Sequence, residues 1–336
     1  MTLPETRSAA IDPGIDADAV LAGCVVDVAG VSIQLHASDA RRADAVASLF
    51  RHAANGATPP VGTLHVGDAA VALPATDADV AGAHADLWRP TPGELRIRNP
   101  EGLTALATAD EIVIGGDAAA LARVFRYTCF LALTHLLAQH GRHLLHAGAV
   151  VIDDGAVVVL GDTGSGKSTL VFAAHRLGWP VLSDDVIAVR RVGDEVTAQG
   201  LPRPVSVPRD VTDAIPGGRP VPEDYRARTE LPAGTLTRDA RAVQAVVAMA
   251  GDDAAGSGDP VERLGSHDTL RAALRAGPSL SDPAQQPEVL AIAAALARRP
   301  AWRLRHGADT ADAIADATRL LEAVRRRLGG EDPDRS

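Results

Sequence analysis

One stretch has both the residue types and the spacing for chemistry on a phosphate: Gly161-Asp162-Thr163-Gly164-Ser165-Gly166-Lys167-Ser168. A glycine, four free positions and then Gly-Lys-Ser is the pattern of a phosphate-binding loop. Gly161, Gly164 and Gly166 permit left-handed turns, so that successive backbone N–H groups, those of Asp162, Thr163 and Ser165 among them, converge on an anion. A helix opening at Ser168 or Thr169 adds its N-terminal partial positive charge. Lys167 supplies a point charge to the β- and γ-phosphates of ATP, and the Ser168 hydroxyl is a ligand for Mg²⁺.

The loop needs a strand before it and a helix after it, and both are legible. Ala156-Val157-Val158-Val159-Leu160 is a short β-branched run suited to a buried strand. Thr169 to Leu177 reads as a helix stopped by Gly178 and Pro180. Upstream, Leu144 to Ile152 is strand-like, and Asp153-Asp154-Gly155 then predicts a hairpin. The loop strand is therefore entered through an antiparallel hairpin, where most nucleotide-binding folds of this kind open on a βαβ crossover. After the helix, Pro180-Val181-Leu182 forms a strand ending in Ser183-Asp184-Asp185. The end of a neighbouring parallel strand lies beside the loop, so a carboxylate there reaches Mg²⁺ or the γ-phosphate.

Leu145-His146-Ala147-Gly148-Ala149-Val150, the loop, and Leu182-Ser183-Asp184-Asp185-Val186 together resemble the nucleotide-binding core of the HPr kinase/phosphorylase family. More narrowly, they are similar to the HPr-kinase-related kinases, some of which are encoded with peptide-modification enzymes. The resemblance spans about residues 144–187, and extends more weakly over the strand at Val243–Met249, the strand at Trp302 and the last helix. It implies ATP-dependent phosphorylation of a serine hydroxyl on a peptide or protein. One member of the acidic pair would be the general base and the other would help hold Mg²⁺. His146 matches a family histidine expected near the γ-phosphate or the acceptor. The chain departs from the bifunctional enzymes at Gly200-Leu201-Pro202-Arg203-Pro204-Val205, where their Glu-x-Arg-Gly-Leu-Gly signature is missing, and at Thr169, usually Glu. Both departures argue against phosphorylase activity and against HPr as the substrate.

Adjacent side chains on a strand point different ways, so Asp184 and Asp185 are expected to hold two jobs, Asp185 as base and Asp184 on the metal side. His135, His140 and His143 lack zinc-like spacing. Arg203, Arg209 and Arg241 are candidate clamps among which the sequence does not choose. A small-molecule hydroxyl kinase and a nucleotide-dependent switch with slow ATPase activity are the alternatives to a peptide or protein kinase.

The remaining chain must position these groups. Of 336 residues 46% are hydrophobic, enough for two cores, and the formal net charge is −10. That charge argues against nucleic acid as the partner. Two distant cysteines, Cys24 and Cys129, suggest buried thiols in a reducing compartment. No basic-then-apolar leader is visible, and the apolar stretch near Phe125 to Leu137 reads as too short to span a bilayer. The expected localisation is cytoplasmic, with no membrane partner and with self-association left open.

The expected fold is α/β: a small α+β N-terminal domain over residues 21–116, behind a poorly ordered lead-in at 1–20. A linking helix over 117–140 and a phosphate-loop kinase domain with a mixed sheet over 141–330 follow. Within the first unit, a hairpin turns at Ala29-Gly30 and a helix capped by Asp39 runs to His52. Short strands are expected at Gly62–Val66, Ala70–Leu73, Gly93–Ile97 and Ile112–Ile114. In the second, Leu201–Arg209 is too rich in proline for a central strand, and the long Pro/Gly-rich connection to Gly234 suggests a lid. A strand at Ala242–Met249, helices at His267–Arg275 (capped by Ser266) and Pro287–Arg298, a strand at Ala301–Arg305 and a helix at Asp309–Leu328 complete the reading.

Overall fold

A computed structural model describes residues 15–57, 59–203, 205–208, 219–220, 228–231, 236–249, 261–277, 283–304 and 310–330. The chain begins with α1 (Ala17–Leu21), β1 (Val25–Val28), β2 (Val31–Ala37), α2 (Ala40–Phe50), β3 (Ala54–Asn55) and β4 (Gly62–Gly67). Then come β5 (Val80–Ala81), β6 (Asp86–Trp88), β7 (Leu95–Arg98), β8 (Thr104–Ala107) and β9 (Glu111–Gly115). These strands form one mixed sheet in the order β3-β1-β2-β4-β9-β8-β7-β6-β5. Ala29 (φ 55°) and Gly30 (φ 78°) make the tight turn between β1 and β2. β2 and β4 are parallel, with α2 in the crossover between them, and β4 and β9 are parallel across the connection that holds β5 to β8. Asp39 caps α2 by accepting from the Arg42 N–H at 3.0 Å.

Two expectations fail here. Part of the stretch read as lead-in is the helix α1, because the Asp16 carboxylate accepts from the Ala19 N–H and caps it. Ala70–Leu73 is not a strand: the Val71 N–H donates to the Thr104 hydroxyl at 2.7 Å instead of to a neighbouring strand.

Helix α3 (Ala118–Gln139) starts at its Asp117 cap and ends where Gly141 turns left-handed (φ 67°). At 22 residues it is long and apolar enough to cross a membrane by length and composition, which corrects the shorter estimate from the sequence. It is buried in the protein over 61% of its most apolar window. Its Leu121, Phe125 and Leu136 join the first sheet's core, and so do Leu144, Val186 and Ala188 from beyond the helix.

The second sheet is built from β10 (His143–Leu145), β11 (Gly148–Ile152), β12 (Gly155–Leu160), β13 (Val181–Ser183), β14 (Ile187–Val192), β15 (Glu195–Gly200) and, later, β19 (Arg241–Met249). Its order is β10-β14-β15-β19-β12-β11-β13. Before β19 lie β16 (Ser206–Pro208), β17 (Arg219–Pro220) and β18 (Arg228–Glu230), a separate small sheet ordered β16-β18-β17. That places the proline-rich stretch at a sheet edge. The rest of the expected lid, with Arg209, lies outside the described residues. After β19 come β20 (Val261–Arg263), α5 (Ser266–Ala276), α6 (Gln286–Ala297), β21 (Ala301–Leu304) and α7 (Thr310–Leu328). β19 pairs in parallel with both β12 and β21, so this sheet is mixed too.

The helix α4 (Lys167–Arg176) and α7 cover one face of this sheet, and α5 and α6 the other. Along β12, Val157 and Val159 enter the first of these cores, while Ala156, Val158 and Leu160 enter the second. Burial on both faces is why this strand reads as an unbroken apolar run. β11 and β12 form the expected antiparallel hairpin. Its two turn residues are Asp153 (φ 44°) and Asp154 (φ 71°), while Gly155 pairs back with Ile152. The expected single strand Leu144–Ile152 is two strands, β10 and β11, broken at His146-Ala147 where the chain changes partners from β14 to β12 and β13. The N-cap of α5 is Gly265, and Ser266, expected as the cap, is its first helical residue.

Candidate functional site

Gly161 to Gly166 bridge the end of β12 and the start of α4. Gly164 (φ 89°) and Gly166 (φ 92°) are left-handed, and a side chain at Gly161 would begin 2.4 Å from the Ser165 hydroxyl. The Ser165 N–H donates to the Asp162 carbonyl at 3.1 Å, closing the turn. Asp162, Thr163 and Gly164 form its exposed tip. α4 opens at Lys167, one residue before the expected start, with Gly166 as its N-cap. The amides of Lys167, Ser168 and Thr169 are thus among those a helix start leaves without intrahelical acceptors.

Lys167 is 6% exposed. Its Nζ donates to the Gly161 carbonyl at 2.6 Å and the Asp162 carbonyl at 3.0 Å, and lies 3.2 Å from His146 Nε2. An ammonium has three protons to give, and three acceptors stand around it. Burial pushes its pKa down, and the charges of Asp185, Asp162 and Asp184, in that order, oppose the shift.

The acidic pair follows β13. This strand runs in the same direction as β12 but is not its neighbour, because β11 lies between them and pairs antiparallel with both. The Ser183 hydroxyl accepts from the Asp185 N–H at 3.3 Å and from the Val186 N–H at 3.2 Å, and so holds the turn. Asp184 is 4% exposed and accepts from the Ser168 hydroxyl at 3.3 Å. Asp185 points elsewhere: Oδ1 lies 3.1 Å from His146 Nδ1, and Oδ2 lies 3.3 Å from an Arg203 guanidinium nitrogen.

His146 sits in the break between β10 and β11, anchored by its N–H to the Ala276 carbonyl at the end of α5, 2.7 Å away. Its ring joins Lys167 to Asp185. Since an ammonium only donates, Nε2 accepts from Lys167, which assigns the proton to Nδ1, where it is donated to Asp185. Gly148, two residues on, faces α4: a side chain there would begin 3.1 Å from Val171 Cγ2. Close approach of helix to strand keeps loop, histidine and acidic turn together.

The fold therefore gathers Lys167, Ser168, His146, Asp184 and Asp185, with Thr169 half-buried on the first turn of α4. Ser183 and Gly148 were missed from the sequence. Arg203 was one of three candidate arginines, and its guanidinium also lies over the Phe130 ring, 5.6 Å from the centroid. Arg241 instead pairs with Asp239 at 3.3 Å. His135 and His140 contact separate carbonyls, those of Gly93 and Ala109. Cys129 is buried, and Cys24, expected buried too, is half-buried.

Beside Asp185 opens a pocket of about 500 Å³. Its walls come from both sheets and from α3, and its lining includes His146, Asp185 and Arg203 together with Leu49, Tyr127 and Phe130.

No family model matches the chain, and no curated protein does. Among solved structures, the HPr(Ser) kinase/phosphatase from Coxiella burnetii is similar over 55% of this chain and 98% of that one, with 12% identity and a TM-score of 0.31.

Proposed function

We propose that the chain is an ATP-dependent kinase that transfers the γ-phosphoryl group to a serine hydroxyl of a peptide or protein. The observation that carries this reading is the division of two adjacent carboxylates. Asp184 is turned to Ser168 at the helix start, and Asp185 to His146, Arg203 and an open pocket.

Loop amides and the start of α4 bind the phosphates, and Lys167 lies within the same shell. The Ser168 hydroxyl and the Asp184 carboxylate are hard oxygen donors 3.3 Å apart, a pair suited to Mg²⁺, which keeps most of its waters. Bound Mg²⁺ supplies neutralisation of the phosphate charge. Asp185, pinned at one oxygen by the His146 N–H, accepts the proton of the attacking hydroxyl. His146 orients that base and ties it to Lys167, so the two halves of the site keep their spacing.

The test is transfer of labelled γ-phosphate from ATP to serine peptides. Lys167→Ala should weaken ATP binding and lower turnover by about 10²–10³-fold. Unchanged turnover in that variant refutes the kinase reading. The largely apolar lining of the pocket favours one second reading, a small-molecule hydroxyl as acceptor.

A further inference from the structure

The pocket beside Asp185 has an uneven lining. On α3, Arg123, Arg126, Tyr127 and Phe130 are spaced i, i+3, i+4 and i+7, so they share one face of the helix, and all four line the pocket. Seven residues of helix cover about 10 Å, the reach of about three residues of extended chain. Arg203 closes the end of this strip against Phe130 and Asp185. Among the described residues, three guanidiniums thus line the pocket against one carboxylate, Asp185, on a chain whose net charge is −10. Arg123 pairs with Glu101 at 2.7 Å, but both groups are about half exposed, so the pair exchanges readily for another anion. Leu49 and Leu201 add apolar surface to the lining.

We propose that this strip is the acceptor subsite and that it selects a peptide serine flanked by a large apolar side chain and an acidic residue. The proposal rests on the kinase reading. The apolar side chain fills the space between Tyr127, Phe130 and Leu49, the acidic residue lies along Arg123 and Arg126, and the serine hydroxyl meets Asp185. In the step that follows, the serine oxygen bonds to the γ-phosphorus and the bond from that phosphorus to the β,γ-bridging oxygen breaks. The hydroxyl proton passes to the Asp185 carboxylate, and ADP leaves with the bridging oxygen. The length of the strip favours a peptide over a compact metabolite, and its sign favours an acidic one.

The experiment presents the full-length protein, ATP and Mg²⁺ with a panel of short serine peptides. The residue beside serine is varied among Phe, Leu and Ala, and the flank among Glu, Gln and Lys; a free apolar hydroxy acid is included. The expected result is a kcat/KM for Phe or Leu with Glu about 10- to 100-fold above Ala with Glu. Tyr127→Ala should reduce that preference through KM, and Arg126→Glu should turn the flank preference from Glu to Lys. Both side chains are exposed, so neither variant tests folding. Equal Lys167-dependent phosphorylation of all peptides overturns the subsite and leaves the kinase standing. Phosphorylation of the hydroxy acid with no peptide phosphorylated also overturns it. Absence of any Lys167-dependent transfer defeats the kinase reading and the subsite together.

Discussion

Replacing Asp185 by Asn keeps the shape of the side chain and removes its ability to take a proton. The Asn oxygen still accepts from His146 Nδ1, which stands 3.1 Å away, while the amide NH₂ turns a donor toward the Arg203 guanidinium at 3.3 Å. Ser168 and Asp184 are untouched, so Mg-ATP binding should persist at neutral pH. Transfer should fall by about 10²–10⁴-fold, the usual cost of losing a general base, or about 3–5 kcal/mol on the barrier. A second readout comes from Lys167, whose pKa is lowered by burial and sustained chiefly by the Asp185 charge. Without that charge Lys167 deprotonates at lower pH, so the alkaline loss of ATP affinity should move to lower pH in Asp185→Asn. The shift should be smaller in Asp184→Asn, because Asp184 contributes least of the three carboxylates. Asp184→Asn should instead raise the Mg²⁺ requirement, and added Mg²⁺ should restore much of the turnover. Calorimetric ATP titrations across alkaline pH, paired with Mg²⁺ titrations of phosphoryl transfer, measure both. Asp185→Asn turning over like the wild type refutes the base assignment. Metal rescue of Asp185→Asn but not of Asp184→Asn inverts the two roles.

Lys167→Met should raise rather than lower the melting temperature at neutral pH while abolishing transfer, because the ammonium is held with its pKa below the unfolded value. The cost of burying the charge is full below the folded pKa and is relieved as pH rises from there toward 10.5, so the gain should shrink over that range in thermal melts. Gly148→Val should destabilise by about 1–3 kcal/mol, since the added atoms meet Val171 under α4, and urea titration should show a lower midpoint at unchanged slope. Asp154→Gly should stabilise by about 1 kcal/mol in the same titration by relieving the left-handed backbone at φ 71°.

The segments legible in the sequence are those whose local chemistry and tertiary fate agree. Ala156–Leu160 is apolar on both faces because two cores receive it, and Asp153-Asp154 turns because Asp tolerates left-handed backbone. β8 was not legible: Thr104-Ala105-Leu106-Ala107 has little β-propensity and is held by its neighbours β7 and β9. Nothing in the run Leu144–Ile152 marks His146 as the place where the strand changes partners, because that break answers to β14 and β13, far along the chain. At the site, the loop and the acidic pair were readable because a helix and a turn fix their separation. The link from Lys167 through His146 to Asp185, and the arrival of Arg203, depend on four segments meeting at the site. Only the fold brings them together.

Val186 directly follows Asp185, yet it belongs to the core beneath the first sheet, together with Leu144 just before the break at His146. Asp185 is therefore tethered to a core whose bulk lies in the opposite half of the chain. Loosening that core, at Ile33 or Leu64 for example, should cost phosphoryl transfer before it costs nucleotide affinity, since α4 and the glycine loop rest on a different core. Heat-sensitive loss of transfer should then arise from substitutions far from any phosphate. On the kinase reading, a cut at residue 141, tidy by sequence, should therefore leave a second half that binds ATP without transferring its phosphate.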